Sequence, residues 1–317
     1  MKLTIWIPNY NWWKLLLDTI ESCDKLWLTK IDYEILILDN CSTDNSYNLV
    51  HEIYWKNSKI KWIDNQKNFW RIWNRNRVLE ESKWDKLLFL MVWDELESIP
   101  EFALDKTINT CYIYPFLNWL NNQINYHQTS ELNTLIDRKK VIRWFVSTIW
   151  HEFWLAPLQS YFFDTSILKS NNIRFNEELE YITDVVFILE YISKFQNIYF
   201  SDKVNIKWWA SKSKFTYQKQ LLLFSETLNE YPNLYENYLH KEIKLYQLKI
   251  FLFFQSSFIY FNNKRLNIKW YSFKELIYFI KNKLGSYLYL IFFPFLPIYI
   301  LYLYINIKTN FKYFLKF

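Results

Sequence analysis

The chain has 317 residues, a formal net charge of +6 and 51% hydrophobic residues, enough for one large domain or one and a half with an ample core. Its three cysteines, Cys23, Cys41 and Cys111, are odd in number and show no CxxC spacing, which excludes a disulfide framework or a cysteine zinc site and fits a reducing, cytoplasmic setting. The basic excess does not point to nucleic acid, because the basic part of the chain lacks an RNA-binding motif and its aromatics sit in apolar runs.

Strand and helix patterns alternate over the first hundred residues. "LTIWIP" (3–8) reads as a short strand, so no signal peptide is expected, and "KLLLDTIESCDKL" (14–26) has helical periodicity. "YEILILD" (33–39) is a buried-type strand, and "STDNSYNLVHEIY" (42–54) opens with Ser, Thr and Asp before a helical run. "KIKWID" (59–64) predicts a third strand, 73–82 a helix and "KLLFLMV" (86–92) a fourth strand. Such alternation implies βαβ units and a parallel sheet, whose ligands bind at the carboxyl ends of the strands. The polar clusters Pro8-Asn9-Tyr10-Asn11, Asp39-Asn40, Asn65 to Asn68 and Asp94-Glu95 all fall at such ends.

Beyond residue 101 the pattern is mixed, with "CYIYPFLN" and "NQINYHQTS" reading as strands, and 221–261 is strongly helical. No internal repeat or low-complexity linker is visible. Residues 202–317 carry 17 Lys and Arg against 6 Asp and Glu, whereas residues 1–201 carry 21 against 26. The run 284–307 has no charged residue, and Lys281, Lys283, Lys308 and Lys312 flank it. Its length suits a membrane span. Pro294 and Pro297 interrupt it, so a surface-lying hairpin or a buried helix pair also fits.

Glycine usage is the anomaly. At the usual ~7% a chain of this length would hold about 22 glycines. This one has a single glycine, Gly285, and 17 Trp. Several Trp stand where glycine is mechanically useful: Trp12 and Trp13 after "PNYN", Trp70 and Trp73 in "NFWRIWNRN", Trp84 in "SKWDK", and Trp208-Trp209 before "ASKSK". Glycine serves where φ is positive or a backbone approaches a ligand, whereas an indole needs a large apolar pocket. The expectation is that most of these positions are glycine in the natural protein, encoded by UGA and rendered here as Trp. Trp62, in "KIKWIDN", fits as a true Trp.

Three acidic positions have functional readings beside ordinary ones. Asp39 can accept a hydrogen bond from a nucleobase imide or serve as a turn residue. Asp94-Glu95, leaving an apolar strand, can seat Mg²⁺ or Mn²⁺, which take carboxylate and diphosphate oxygens. Asp184, in "TDVVFILEYISKF", is a good first-turn helix residue or a general base for a hydroxyl.

Read with glycine at the anomalous positions, four segments together resemble the family 2 glycosyltransferases. They are "LTIWIPNYNWW", "YEILILDNCSTDNS", "NQKNFWRIWNRNRVLEESKWDKLLFLMVWDEL" and "RFNEELEYITDVVFIL". The resemblance implies a GT-A fold over residues 1–215, α/β with a central, mostly parallel sheet, followed by a helical, apolar region over 216–317. It implies an inverting transferase that moves a sugar from a nucleotide-diphosphate donor to a glycan or lipid-linked acceptor at a membrane surface, in surface polysaccharide synthesis. Pro8, Tyr10, Asn11, Asp39, Asn68 and Arg75 would hold the nucleotide sugar, Asp94 the metal, with Glu95 as a second oxygen ligand, and Asp184 would be the base. His151 and Glu152 fall in the acceptor-side region "WHEFWLAPLQSYFFDTSIL", as pocket or surface residues. Two departures stand out: Met91, Val92 and Trp93 replace further acidic residues before Asp94, and Thr183-Asp184 replaces the usual Glu-Asp pair. They leave a lapsed enzyme of the same fold as the alternative.

Overall fold

The computed structural model describes residues 2–23, 31–54, 56–99, 110–118, 124–125, 132–142, 157–208, 226, 230 and 232–239. The chain divides into two compact units, Met1–Glu226 and Thr227–Phe317. The boundary expected at residue 215, most of the helical run 221–261 and the uncharged run 284–307 lie outside the described residues. Among the described residues, no helix is long and apolar enough to cross a membrane.

The first unit begins with the alternation read from the sequence: β1 (Lys2–Asn9), α1 (Trp13–Ser22), β2 (Asp32–Asp39), α2 (Ser46–Tyr54), β3 (Ile60–Asp64), α3 (Arg71–Glu81) and β4 (Lys86–Phe89). There follow β5 (Glu95–Leu96), β6 (Thr110–Ile113), β7 (Phe116–Asn118), β8 (Ile124–Asn125), β9 (Thr134–Asp137), β10 (Phe162–Asp164), α4 (Thr165–Ser170), α5 (Thr183–Ile192), β11 (Asn197–Phe200) and β12 (Ile206–Trp208). The central sheet has the order β10-β4-β1-β2-β3. β1 to β4 run parallel and β10 is antiparallel to β4. The fold class expected from the sequence, α/β with a mostly parallel central sheet, is therefore what is found.

β2 is buried at every position except Asp32, the run expected of a parallel strand covered on both faces. One face packs on α1 through Leu16 and Ile20. On the other, Phe89 of β4 packs edge-on against Trp6, Phe163, Phe175 and Phe187, and Phe175 stacks on Phe187 of α5 at 3.9 Å. This aromatic layer seats α5, whose residues 185–189, 191 and 192 are all buried.

The chain passes from β1 outward to β3 and returns on the other side of β1 as β4. The reversal opens a crevice at the carboxyl ends of β1 and β4, where open α/β sheets take their ligands. Two smaller sheets, β6-β11-β9 and β5-β12-β7-β8, complete the unit.

Candidate active site

At the carboxyl ends of β1 and β2 the polar residues hold one another. Asp39 is 3% exposed. Its Oδ1 accepts from Asn9 Nδ2 at 2.7 Å and its Oδ2 from the Ser42 N–H at 2.7 Å. Asn11 lies at φ 58°, a left-handed conformation that Asn tolerates better than most residues. Its Oδ1 accepts from the N–H groups of Thr43 and Asp44 at 2.8 and 3.2 Å. These bonds draw Ser42 to Asp44 into a loop ahead of α2, which starts at Ser46. Of the expected Ser/Thr/Asp cap it is Asp44 that serves, its Oδ1 accepting from the Ser46 N–H at 3.0 Å. Tyr10 stands out beside this loop, 43% exposed, and Pro8 is half-buried within β1.

A second network joins β2, β3 and the start of α3. Asn40 donates to Asn68 Oδ1 at 2.6 Å and to the Phe69 carbonyl at 2.8 Å, and accepts from the Phe69 N–H at 2.8 Å. Asn65 donates to Asn40 at 3.0 Å and to Asn74 at 2.6 Å, and Arg77 donates to Asn65. Asn68, read as a donor-binding residue, thus sits at the carboxyl edge with its amide oxygen already engaged.

The third cluster spans the greatest distance in sequence. Arg75 on α3 and Asp184 in the first turn of α5, 109 residues apart, form an ion pair through Arg75 Nη1 and Asp184 Oδ1. Their side chains are 12% and 30% exposed, so the pair is shielded yet reachable from solvent. The guanidinium also lies over the Phe175 ring, 5.3 Å from its centre. Asn76, next on α3, binds the Phe175 peptide from both sides, accepting from its N–H at 2.8 Å and donating to its carbonyl at 2.9 Å, and also reaches Glu177 Oε1 at 3.0 Å. Arg71 donates to the Glu180 carbonyl. One face of α3 therefore fastens the whole segment that delivers Asp184.

Asp94 follows β4 in a turn closed by its N–H on the Met91 carbonyl at 2.8 Å. It is fully buried, and its Oδ2 accepts from Gln159 Nε2 at 2.9 Å. Glu95, expected beside it as a second metal ligand, lies in β5 and is ion-paired with Lys207 at 3.5 Å. Among the described residues no three His, Cys, Asp or Glu side chains gather as a metal cluster. A Mg²⁺ or Mn²⁺ that bridges a diphosphate requires only one or two carboxylates. The two expected ligands, Asp94 and Glu95, each hold a protein partner here, Gln159 and Lys207.

The indoles gather along the same edge. Trp12 and Trp70 are the N-cap residues of α1 and α3, and neither side chain makes a capping bond. An N-cap favours Asn, Asp, Ser, Thr or Gly over large apolar residues. Trp12, Trp13 and Trp70 are 46%, 45% and 57% exposed, and Trp12 meets Trp93 edge-on at 5.9 Å, beside Asp94. The positive-φ positions outside glycine among the described residues are Asn11, Cys41, Asn133 and Asn172, with no Trp among them. Helix-capping and close approach, rather than positive φ, are thus the grounds on which glycine would suit these sites. Trp6 differs: it is 1% exposed in the aromatic layer, with Nε1 lacking a hydrogen-bond partner.

His151 and Glu152 lie outside the described residues. The sequence reading places Asn40 and Asn65 in strand-end clusters without a role, and passes over Asn74, Asn76 and Gln159. Asn76 stood inside the quoted α3 segment, directly after Arg75, but nothing in the spacing reveals that its partner lies 99 residues ahead.

Residues 4–95 match the family model described as Glycosyl transferase family 2. The chain is 30% identical over 207 residues to a teichoic acid poly(glycerol phosphate) polymerase of Staphylococcus epidermidis, covering 62% of this chain and 27% of that protein. It is 24% identical over 199 residues to the poly(ribitol-phosphate) beta-N-acetylglucosaminyltransferase TarS of Staphylococcus aureus, covering 60% of this chain and 32% of the relative. The chain thus spans about a third or less of the curated relatives it matches. The crystal structure of S. aureus TarS 1–349 in complex with UDP-GlcNAc superposes with a TM-score of 0.61 at 20% identity, over 89% of this chain and 80% of that one. The free TarS 1–349 structure gives 0.58. The family match is thus confined to residues 4–95, and the likeness to the TarS structures shows the GT-A fold.

Proposed function

We propose that the protein is an inverting glycosyltransferase of surface polysaccharide synthesis, moving a sugar from a nucleotide-diphosphate donor to a hydroxyl of a glycan or lipid-linked acceptor. The observation that carries this reading is the Arg75–Asp184 pair, which brings a half-shielded carboxylate to the α3 face beside the sheet's carboxyl edge. The relatives named for polyol-phosphate polymers support the polysaccharide setting.

In this mechanism Asp184 takes the acceptor proton, and the acceptor oxygen attacks the anomeric carbon. The bond to the diphosphate breaks with inversion, and the nucleoside diphosphate leaves. Arg75 holds Asp184 Oδ1, which orients the carboxylate and directs Oδ2 to the incoming hydroxyl. Pro8, Tyr10, Asn11, Asp39, Asn68 and Arg75 hold the nucleotide sugar. Of these, Tyr10 is 43% exposed beside the loop and open to a base or ribose, while Asn11 and Asp39 chiefly shape the 42–44 loop. Asp94 would be the protein ligand of Mg²⁺ or Mn²⁺, an ion that stabilises the departing diphosphate when bound. His151 and Glu152 remain candidates for the acceptor pocket.

The test is nucleotide release from a panel of nucleotide sugars with Mn²⁺ and a polyol-phosphate or lipid-linked acceptor, expected with one donor and lost on chelation. Donor binding without release in the wild type would favour a lapsed, nucleotide-sugar-binding protein, the reading suggested by the single buried carboxylate at Asp94.

Two further proposals accompany it. Most of the tryptophans are glycine in the natural protein, and intact mass of the native protein decides this. The basic region 202–317 and its uncharged run 284–307 hold the enzyme at the anionic inner face of the membrane, within a helical region taken to begin near residue 216. Deleting 284–317 should shift the protein from pellet to supernatant with anionic vesicles, and an intact chain that already stays in the supernatant would overturn this.

A further inference from the structure

α5 has no cap of its own, because its N-cap residue is Ile182, whose side chain accepts no hydrogen bond. The turn before the helix presents three successive N–H groups, and all three go to one side chain. Glu226 accepts from the Glu180 N–H through Oε1 at 2.6 Å, and from the Tyr181 and Ile182 N–H groups through Oε2 at 2.6 and 2.7 Å. Consecutive backbone N–H groups around one carboxylate make a nest of charge-assisted bonds, stronger than neutral ones. Asp184 lies two residues beyond the last of them.

The body of α5 has independent support, since its apolar face is buried in the aromatic layer. The segment's other end is fixed by Asn76 on Phe175 and by Thr183 Oγ1 on the Asn176 carbonyl at 3.3 Å. Glu226 acts on what lies between, the N–H groups of the turn 180–182, while Arg71 holds only the Glu180 carbonyl there. That turn sets where the first helical residues emerge, and so where the Asp184 carboxylate meets Arg75.

We infer that Glu226 is a positioning residue for the transfer: its carboxylate fixes the turn 180–182 and, through it, the reach of Asp184 toward the acceptor hydroxyl. The inference rests on the reading of Asp184 as the base. A misplacement of about 1 Å at a reacting group is enough to lower a rate by ~10²-fold, so a contact away from the chemistry can govern kcat while donor binding, at the far end of the crevice, is unaffected.

The experiment uses the full chain as wild type, Glu226→Gln and Glu226→Asp, with two readouts: amide hydrogen exchange and steady-state nucleotide release. Glu226→Gln should speed exchange at 180–182 by about tenfold or more while leaving β1 to β4 protected. It should lower kcat by roughly 10- to 100-fold with donor KM within about twofold. Glu226→Asp keeps the charge and should recover part of kcat. In an Asp184→Asn background, Glu226→Gln should lower kcat no further, because its effect passes through that carboxylate. Unchanged exchange at 180–182 overturns the contact, and fast exchange with full kcat overturns the positioning role. A wild type that releases no nucleotide from any donor overturns the transfer reading instead, and with it the positioning role, while the exchange readout still decides whether Glu226 holds the turn.

Discussion

Asp184→Asn should retain donor binding within about twofold and lose roughly 10²–10⁴-fold in kcat, the range that a positioned base contributes. The amide preserves shape and can still accept from Arg75 through its oxygen, so the α3–α5 contact survives. What it lacks is a carboxylate able to take the acceptor proton. Arg75→Ala provides the complementary case. It removes the partner that orients the carboxylate and exposes Phe175, on which the guanidinium lies. That variant should lower kcat less than Asp184→Asn, and the double variant should fall short of the product of the two losses, because the residues act as one unit. Nucleotide release, with donor affinity measured separately by titration, distinguishes these outcomes. Full turnover in Asp184→Asn would move the base elsewhere.

Replacing Trp12, Trp70 and Trp93 together by Gly should raise donor affinity by about tenfold or more, with the stability cost falling mainly on Trp93, which packs against the core. Trp12 and Trp70 are half-exposed N-cap residues without capping bonds, so removing them sacrifices little packing. Together with Trp93 they put three indoles along the edge where the nucleotide of a GT-A enzyme would lie, and a tenfold gain corresponds to only about 1.4 kcal/mol. Trp6 supplies the contrast. It is buried against Phe89, so Trp6→Gly alone should destabilise the protein by about 3–5 kcal/mol through the cavity it opens. Denaturant midpoints report the stability arm and calorimetric titration the affinity arm. If the triple variant unfolds, the indoles are structural and the glycine reading fails at those sites.

The alternation of the first hundred residues was legible because each strand is a short apolar run and each helix repeats its apolar face. The element limits were less so, for reasons visible in particular residues. The Ser/Thr/Asp opening of α2 caps through Asp44, but which of the three does so was not legible: Asp39 and Asn11 claim the N–H groups of Ser42 to Asp44 and hold them out of the helix. The fourth strand was read through Val92 but stops at Phe89, where the chain turns to bury Asp94 on Gln159. Glu95 adjoins Asp94 in sequence, and nothing local reveals its ion pair with Lys207, 112 positions along the chain.

The sequence by itself determined the strand-helix order, the strand-end placement of Asp39, the first-turn placement of Asp184, and the glycine anomaly, since all of these are properties of local pattern and composition. Tertiary structure alone decided which of those residues meet. Arg75 reaches Asp184, Asn76 grips Phe175 and Glu226 gathers the turn 180–182, because the sheet's aromatic layer sets α5 against α3. Spacing in sequence carries no record of such contacts: they depend on how apolar faces pack, and a polar side chain finds its partner only after that packing is complete.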